Sequence, residues 1–131
     1  MMKRIFKTRT FARWMQKSAL SDDALCRAVL EMAQGLVDAD LGGCVVKKRI
    51  ALPGRGKSGG ARTIVATNRG DRWFFMYGFE KNERANIDKD ELKSFQEVAK
   101  ELLGFSEPQL TAALTTGEIM EVCDGNGETE K

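Results

Sequence analysis

Residues 44 to 79 read CVVKKRIALPGRGKSGGARTIVATNRGDRWFFMYGF, and the fold turns on them. Three runs of β character, Cys44 to Leu52, Ala61 to Thr67 and Arg72 to Phe79, are separated by Pro53 to Gly60 and by Asn68-Arg69-Gly70-Asp71. The second connector, Asn, Gly and Asp between alternating runs, predicts a hairpin. Short connectors imply an antiparallel meander, because a parallel pair needs a longer crossover. Strict alternation in the third run puts Trp73, Phe75, Tyr77 and Phe79 on one face and Phe74 and Met76 on the other. A strand apolar on both faces is expected at the centre of the sheet.

Helices flank this meander. Arg4 to Phe11 alternates loosely as a short strand before a helical spacing begins at Phe11. Ser21 caps a second helix with Asp22 and Asp23 in its first turn. Its stripe is Leu25, Ala28, Val29, Met32, Ala33 and Leu36, ending near Gly35. Downstream, Asp88 caps a helix with Glu91 completing an acidic capping box, and Leu92, Phe95, Val98, Ala99, Leu102 and Leu103 form the buried stripe. Gly104 stops it, Ser106-Glu107-Pro108 starts a shorter helix through about Leu114, and Glu118 to Val122 reads as a last strand or docking segment. The expectation is an α+β domain over residues 1–123, an antiparallel meander packed against N-terminal helices and a C-terminal helix. A polar tail over 124–131 is expected to be disordered, and the sequence shows no repeat and no interdomain linker.

The net charge of +2 hides an asymmetry. Residues 1–87 hold 17 Lys and Arg against 8 Asp and Glu, whereas 88–131 hold 4 against 11, giving +9 beside −7. Such a split points to a polyanion-binding surface next to an acidic segment. The sequence has no histidine, which excludes Ser-His-Asp and Cys-His nucleophilic machinery and His-based proton transfer. Cys26, Cys44 and Cys123 match neither a disulfide framework nor a metal knuckle and read as buried or incidental thiols of a reducing cytosol. No run approaches a membrane span and no signal-peptide core follows the basic start, so a cytoplasmic location is expected.

Ala51 to Ser58 ends in Gly56-Lys57-Ser58, like a phosphate-binding P-loop. Ala51 occupies a required glycine position, however, and the residues after Ser58 lead into a strand rather than a helix. The loop reads better as a basic finger, with Arg55 and Lys57 among four glycines. Lys47, Lys48 and Arg49 precede it, Arg62 follows, and Lys81 and Arg84 lie just beyond Phe79. Lys47 to Arg84 holds 10 basic and 3 acidic residues, a local charge of +7. Strand lysines also serve as solvated edge residues that discourage aggregation. That role leaves unexplained why two loops and two strand ends all carry cations. Tyr77 and Phe79 add flat surfaces on which a nucleobase can stack. Lys47, Lys48, Arg49, Arg55, Tyr77 and Phe79 are therefore the candidate RNA-binding residues.

The Gly-x-Gly-Lys-x-Gly-Gly-x-Arg loop over Gly54 to Arg62 and the Tyr77-Gly-Phe-Glu-Lys-Asn-Glu-Arg84 segment resemble the RelE/HigB toxins of bacterial type II toxin–antitoxin systems, the HigB-like branch in particular. The resemblance covers roughly Met1 to Leu103. It implies an endoribonuclease that cuts mRNA in the ribosomal A site without a metal or other cofactor: the ribose 2′-OH attacks the adjacent phosphate, leaving a 2′,3′-cyclic phosphate or 3′-phosphate and a 5′-OH. Such chemistry suits a chain without histidine, because the substrate brings the nucleophile and the protein aligns it, stabilises phosphorane charge and manages two protons. By the same resemblance Lys57, Arg62, Lys81 and Arg84 are the candidate catalytic residues, and the partners are mRNA, the ribosome and a cognate antitoxin, often a helix-turn-helix DNA-binding protein. Asn82 and Asp88 stand where some RelE members carry arginine and tyrosine, so Tyr77 or a lysine would take over that work. Two alternatives share the basic meander: a non-catalytic RNA- or ribosome-binding module, and an inactive toxin-like partner of a DNA-binding antitoxin. The acidic C-terminal part reads as structural, or as a shield from Glu118 to Glu130 over the basic face.

Overall fold

The computed structural model describes residues 3–54 and 56–123, with the side chains of residues 56–58 outside that description. The third apolar run becomes β5 (Arg72–Glu80), in which Trp73, Phe74, Phe75, Met76 and Phe79 are all buried. β4 (Gly56–Thr67) pairs with it antiparallel on one side, and β1 (Arg4–Thr8) pairs parallel on the other. β3 (Val45–Leu52) and β2 (Ala39–Gly42) extend outward from β4, while β6 (Ile119–Val122) lies antiparallel outside β1. The strand order is β2-β3-β4-β5-β1-β6, so the expected meander forms and β5 is an interior strand.

Each sheet face carries two helices. α1 (Arg9–Met15) and α2 (Asp22–Ala33) cover one face through Phe11, Met15, Leu25, Val29 and Met32, against Val46, Ile50, Val65, Trp73 and Phe75. α3 (Lys89–Leu103) and α4 (Glu107–Thr116) cover the other through Ala99, Leu102, Leu110 and Ala113, against Phe6, Val45, Ile64, Phe74 and Phe79. Phe6 and Phe74 stack at 4.8 Å between ring centroids. Burial of each such side chain contributes about 1.5–3 kcal/mol, and β5 supplies them to both layers.

The expected caps form. Ser21 accepts from the Ala24 N–H, Asp88 and Glu91 close a capping box, and Ser106 and Gln109 close another ahead of α4. α2 stops at Ala33, and Gly35 at φ +94° turns the chain, so Leu36 leaves the expected stripe and is 55% exposed. Val98 also sits at the margin of its helix face, 38% exposed.

Three local features depart from the sequence expectation. β2 was not anticipated: Ala39-Asp40-Leu41-Gly42 is four residues with only Ala39 and Leu41 apolar, too short a pattern to read, and backbone pairing with β3 makes it a strand. It joins β3 through Gly43 and Cys44, both at positive φ (59° and 65°), as a two-residue type I′ hairpin requires. β4 begins at Gly56 rather than Ala61, so much of the glycine-rich stretch is strand. Its register against β3 slips between Ile50↔Ala61 and Leu52↔Gly56, where a Cβ on Gly60 would collide with the Ile50 carbonyl. Most consequential is a β-bulge in β5. Ile64 pairs with Tyr77 but Val65 pairs with Phe75, leaving Met76 as the extra residue. Alternation inverts there, so Tyr77 and Phe79 pack with Phe74 and Met76 on the α3 face instead of sharing the face of Trp73 and Phe75.

Cys26 and Cys123 form a disulfide, with Cα atoms 6.6 Å apart, where incidental thiols were expected. Sequence spacing carried no sign of this, since α2 meets the end of β6 only in the folded chain. Cys44 is free and exposed. No helix among the described residues is long and apolar enough to cross a membrane.

Candidate functional site

Strand alternation and the two core layers decide which cations share a surface. Val45 faces α3 and Val46 faces α2, so Lys47 and Arg49 lie on the α3 face and Lys48 on the α2 face. In β4, Ala61 belongs to the α2 layer and Ile64 to the α3 layer, which places Arg62 with Lys47 and Arg49. Arg49 and Arg62 are Cα partners, and Arg62 and Phe79 are partners across the next ladder. The row Arg49, Arg62, Phe79 therefore crosses three strands at the end of the sheet where β5 runs out into the turn bearing Lys81 and Arg84.

The candidates differ in what neutralises them. Lys48 is buried at 3% exposure, donating to the Leu36 carbonyl at 2.8 Å and pairing with Glu31 at 2.8 Å. It is a structural cation beneath α2, on the sheet face opposite to that of Lys47 and Arg62. Arg49 pairs with Asp38, whose other carboxylate oxygen accepts the Arg49 backbone N–H. Arg62 is half-buried and donates to the Gly60 carbonyl at 3.2 Å. Among the described residues, Lys47, Arg62 and Lys81 have no carboxylate partner. Like charges directly opposite on a ladder are unfavourable. Asp38 offsets only the Arg49 half of the Arg49 and Arg62 pair.

Beside this row, Gly59, Glu80, Lys81 and Asn82 line a shallow, open depression of about 560 Å³. The backbone of Lys57 lies in β4, which leads toward this depression; its side chain is outside the described residues, as is Arg55 altogether.

The turn after β5 is held from both sheet faces. On the α1 side, Glu83 accepts from the Trp14 indole N–H at 3.2 Å and from the Glu80 backbone N–H at 2.6 Å. On the α3 side, Arg84 donates to both carboxylate oxygens of Glu91, to the Tyr77 hydroxyl at 3.1 Å and to the Asn86 carbonyl at 3.0 Å. Its guanidinium lies 5.9 Å from the Tyr77 ring centroid and 5.8 Å from that of Phe79. The Glu91 and Tyr77 hydrogen bonds raise the Arg84 pKa further above its ordinary value. Reciprocally, the Arg84 bond and then the Asp88 backbone N–H hold the Glu91 carboxyl below its ordinary range.

Tyr77 is half-buried with Phe79 and Phe95 as ring neighbours, and Phe79 is 2% exposed. Phe79 is thus part of the floor under Arg62 rather than an exposed platform. Sequence reasoning passed over Asp38, Glu83, Trp14 and the outward role of Glu91. Glu91 was legible only as a helix cap, and Glu83 stood inside a quoted segment with no partner visible along the chain.

The site thus combines cations that have no carboxylate partner among the described residues, a neighbouring depression and a turn fixed from two sides. No curated protein matches the chain. The model of the family described as the RelE toxin of the RelE/RelB toxin–antitoxin system matches residues 3–122, and the chain belongs to that toxin family.

Proposed function

We propose that the protein is an mRNA endoribonuclease that acts in the ribosomal A site and is held in check by a cognate antitoxin. The observation that carries this reading is Arg62: a half-buried guanidinium without a carboxylate partner among the described residues, directly opposite Arg49 and beside the depression bearing Lys81. A cation kept unpaired next to a like charge favours an anion between the two, and a phosphodiester has the geometry that a guanidinium fork binds.

In this reading Arg62 and Lys81 neutralise the phosphate and the charge that builds on it as the substrate 2′-OH attacks in line with the departing 5′-oxygen. Lys57, whose backbone lies on the same strand as Arg62, is the group for proton transfer. Lys47 and Arg49 extend the surface along the RNA backbone, where their contribution falls with salt.

The test is purified protein added to translating ribosomes programmed with a defined mRNA, with 5′ ends mapped and product ends typed. Cleavage within the open reading frame leaving a 5′-OH and a cyclic phosphate supports the proposal. Ribosome binding with intact mRNA overturns it in favour of a non-catalytic module.

A further inference from the structure

Arg84 was expected among the catalytic cations, yet its guanidinium is already engaged in four hydrogen bonds: to Asn86, to Tyr77 and two to Glu91. Arginine has five N–H donors, so too few remain for a two-point grip on phosphate. Its neighbours suggest another use. Tyr77 is the cross-strand partner of Ile64, diagonal to Arg62, and the turn that begins at Lys81 ends at Arg84. Whatever fixes Arg84 also fixes the Tyr77 hydroxyl and the direction in which Lys81 leaves β5.

Glu91 does the fixing. It stands at the third position of α3, where its carboxylate also accepts the Asp88 backbone N–H at 2.9 Å, so one side chain joins the helix start to the turn. The two side chains are similarly accessible, Arg84 at 31% and Glu91 at 33%, so both are shielded by the surface they bridge without being removed from water.

We propose that Glu91 is a positioning residue of the RNA site: it anchors Arg84 and, through it, the Tyr77 hydroxyl and the Lys81 turn. This rests on the nuclease reading above. Glu91 touches no substrate; its effect passes through Arg84, which is itself a positioning group rather than a phosphate ligand.

Glu91→Gln separates this role from helix capping, since glutamine at the same position still closes a capping box while the charge-assisted two-point bond to Arg84 is lost. In the ribosome-programmed cleavage assay, Glu91→Gln is expected to lower kcat about tenfold to a hundredfold, the scale on which small misplacements of reacting groups act, with KM and the thermal unfolding midpoint close to those of the parent. Glu91→Asp, which keeps the charge, recovers part of the rate. The double variant Arg84→Ala/Glu91→Gln cleaves no more slowly than Arg84→Ala alone, because the two residues act as one unit. Cleavage by Glu91→Gln at the parental rate, or losses that multiply in the double variant, overturns the inference while leaving the nuclease reading intact. Absence of cleavage by the unsubstituted protein overturns both.

Discussion

Arg49 and Arg62 stand directly opposite one another on the β3 and β4 ladder, and among the described residues only Arg49 has a carboxylate, Asp38, to answer its charge. No described carboxylate offsets the second guanidinium, so the like-charge contact favours an anion beside it. Arg62→Ala is therefore expected to lower mRNA cleavage by about 10²–10³-fold, the scale seen when one donor to a developing oxyanion is removed. Stability should hold or rise by a few tenths of a kcal/mol as the like-charge contact disappears. Cleavage kinetics and urea unfolding of one preparation check both halves. A variant that loses activity only because it unfolds removes the argument.

Neighbours in sequence but not in space, Lys47 and Lys48 provide a second test. Lys48→Ala leaves the Leu36 carbonyl and Glu31 without their buried cation and should cost about 1–3 kcal/mol of unfolding free energy, with affinity for a short single-stranded RNA unchanged. Lys47→Ala should do the reverse, preserving stability while weakening RNA binding and flattening its salt dependence by about one charge. Fluorescence anisotropy across a salt series reads the second effect, and equal loss of affinity in both variants contradicts the two-faced sheet.

How far the sequence carried the fold depended on whether the information was local. The meander, the Ser21, Asp88 and Ser106 caps and the interior position of β5 follow from patterns spanning a few residues, and all of them form. The Met76 bulge has no comparable local signature: Arg72 to Phe79 alternates without interruption, and the inversion that moves Tyr77 and Phe79 to the α3 face arises from pairing with Ile64 and Val65. In the site, the basic character of the two strand ends was legible as charge. Which cation was already answered was not, because Asp38, Glu31 and Glu91 reach Arg49, Lys48 and Arg84 only through the folded chain.

Gly78 explains how α1 comes so close to the strand that leads into the turn. A Cβ there would lie 2.5 Å from the Trp14 ring and 3.0 Å from that of Phe11, both parts of rigid aromatic groups. Gly78→Ala should force α1 outward and cost about 1–3 kcal/mol, the usual range for overpacking. Because Trp14 also donates to Glu83, the shift loosens the turn. Activity should therefore fall further than the loss of folded protein accounts for, a difference that appears when cleavage is measured well below the unfolding midpoint.

The Cys26–Cys123 disulfide closes a span of 97 residues, from the first turns of α2 to the end of β6. A cross-link over such a span stabilises mainly by restricting the unfolded chain, typically by about 2–4 kcal/mol. Cys26→Ser should lower the unfolding free energy by that amount under oxidising conditions and by almost nothing when dithiothreitol is present. Equal stability of parent and variant without reductant would show that the bond does not form in solution.

The C-terminal acidic part is built into the sheet as far as Cys123, which bears on the notion of a removable shield. Glu121 holds Arg4 through two hydrogen bonds, the Glu118 carbonyl accepts the Arg9 N–H, and Ile119 and Val122 are buried. Residues 124–131 lie outside the described residues. Deletion from residue 118 onward exposes β1 as a sheet edge and removes two core side chains, each contributing about 1.5–3 kcal/mol, together with the disulfide. Against a total stability of about 5–15 kcal/mol for a domain of this kind, that loss should abolish cooperative unfolding. Deletion from residue 124 onward spares all of these contacts and should leave the melting midpoint within a few degrees of the parent. Circular dichroism melts of the two truncations decide the matter: cooperative melting of the shorter chain would mean that β6 is dispensable and that its acidic residues are free to act elsewhere.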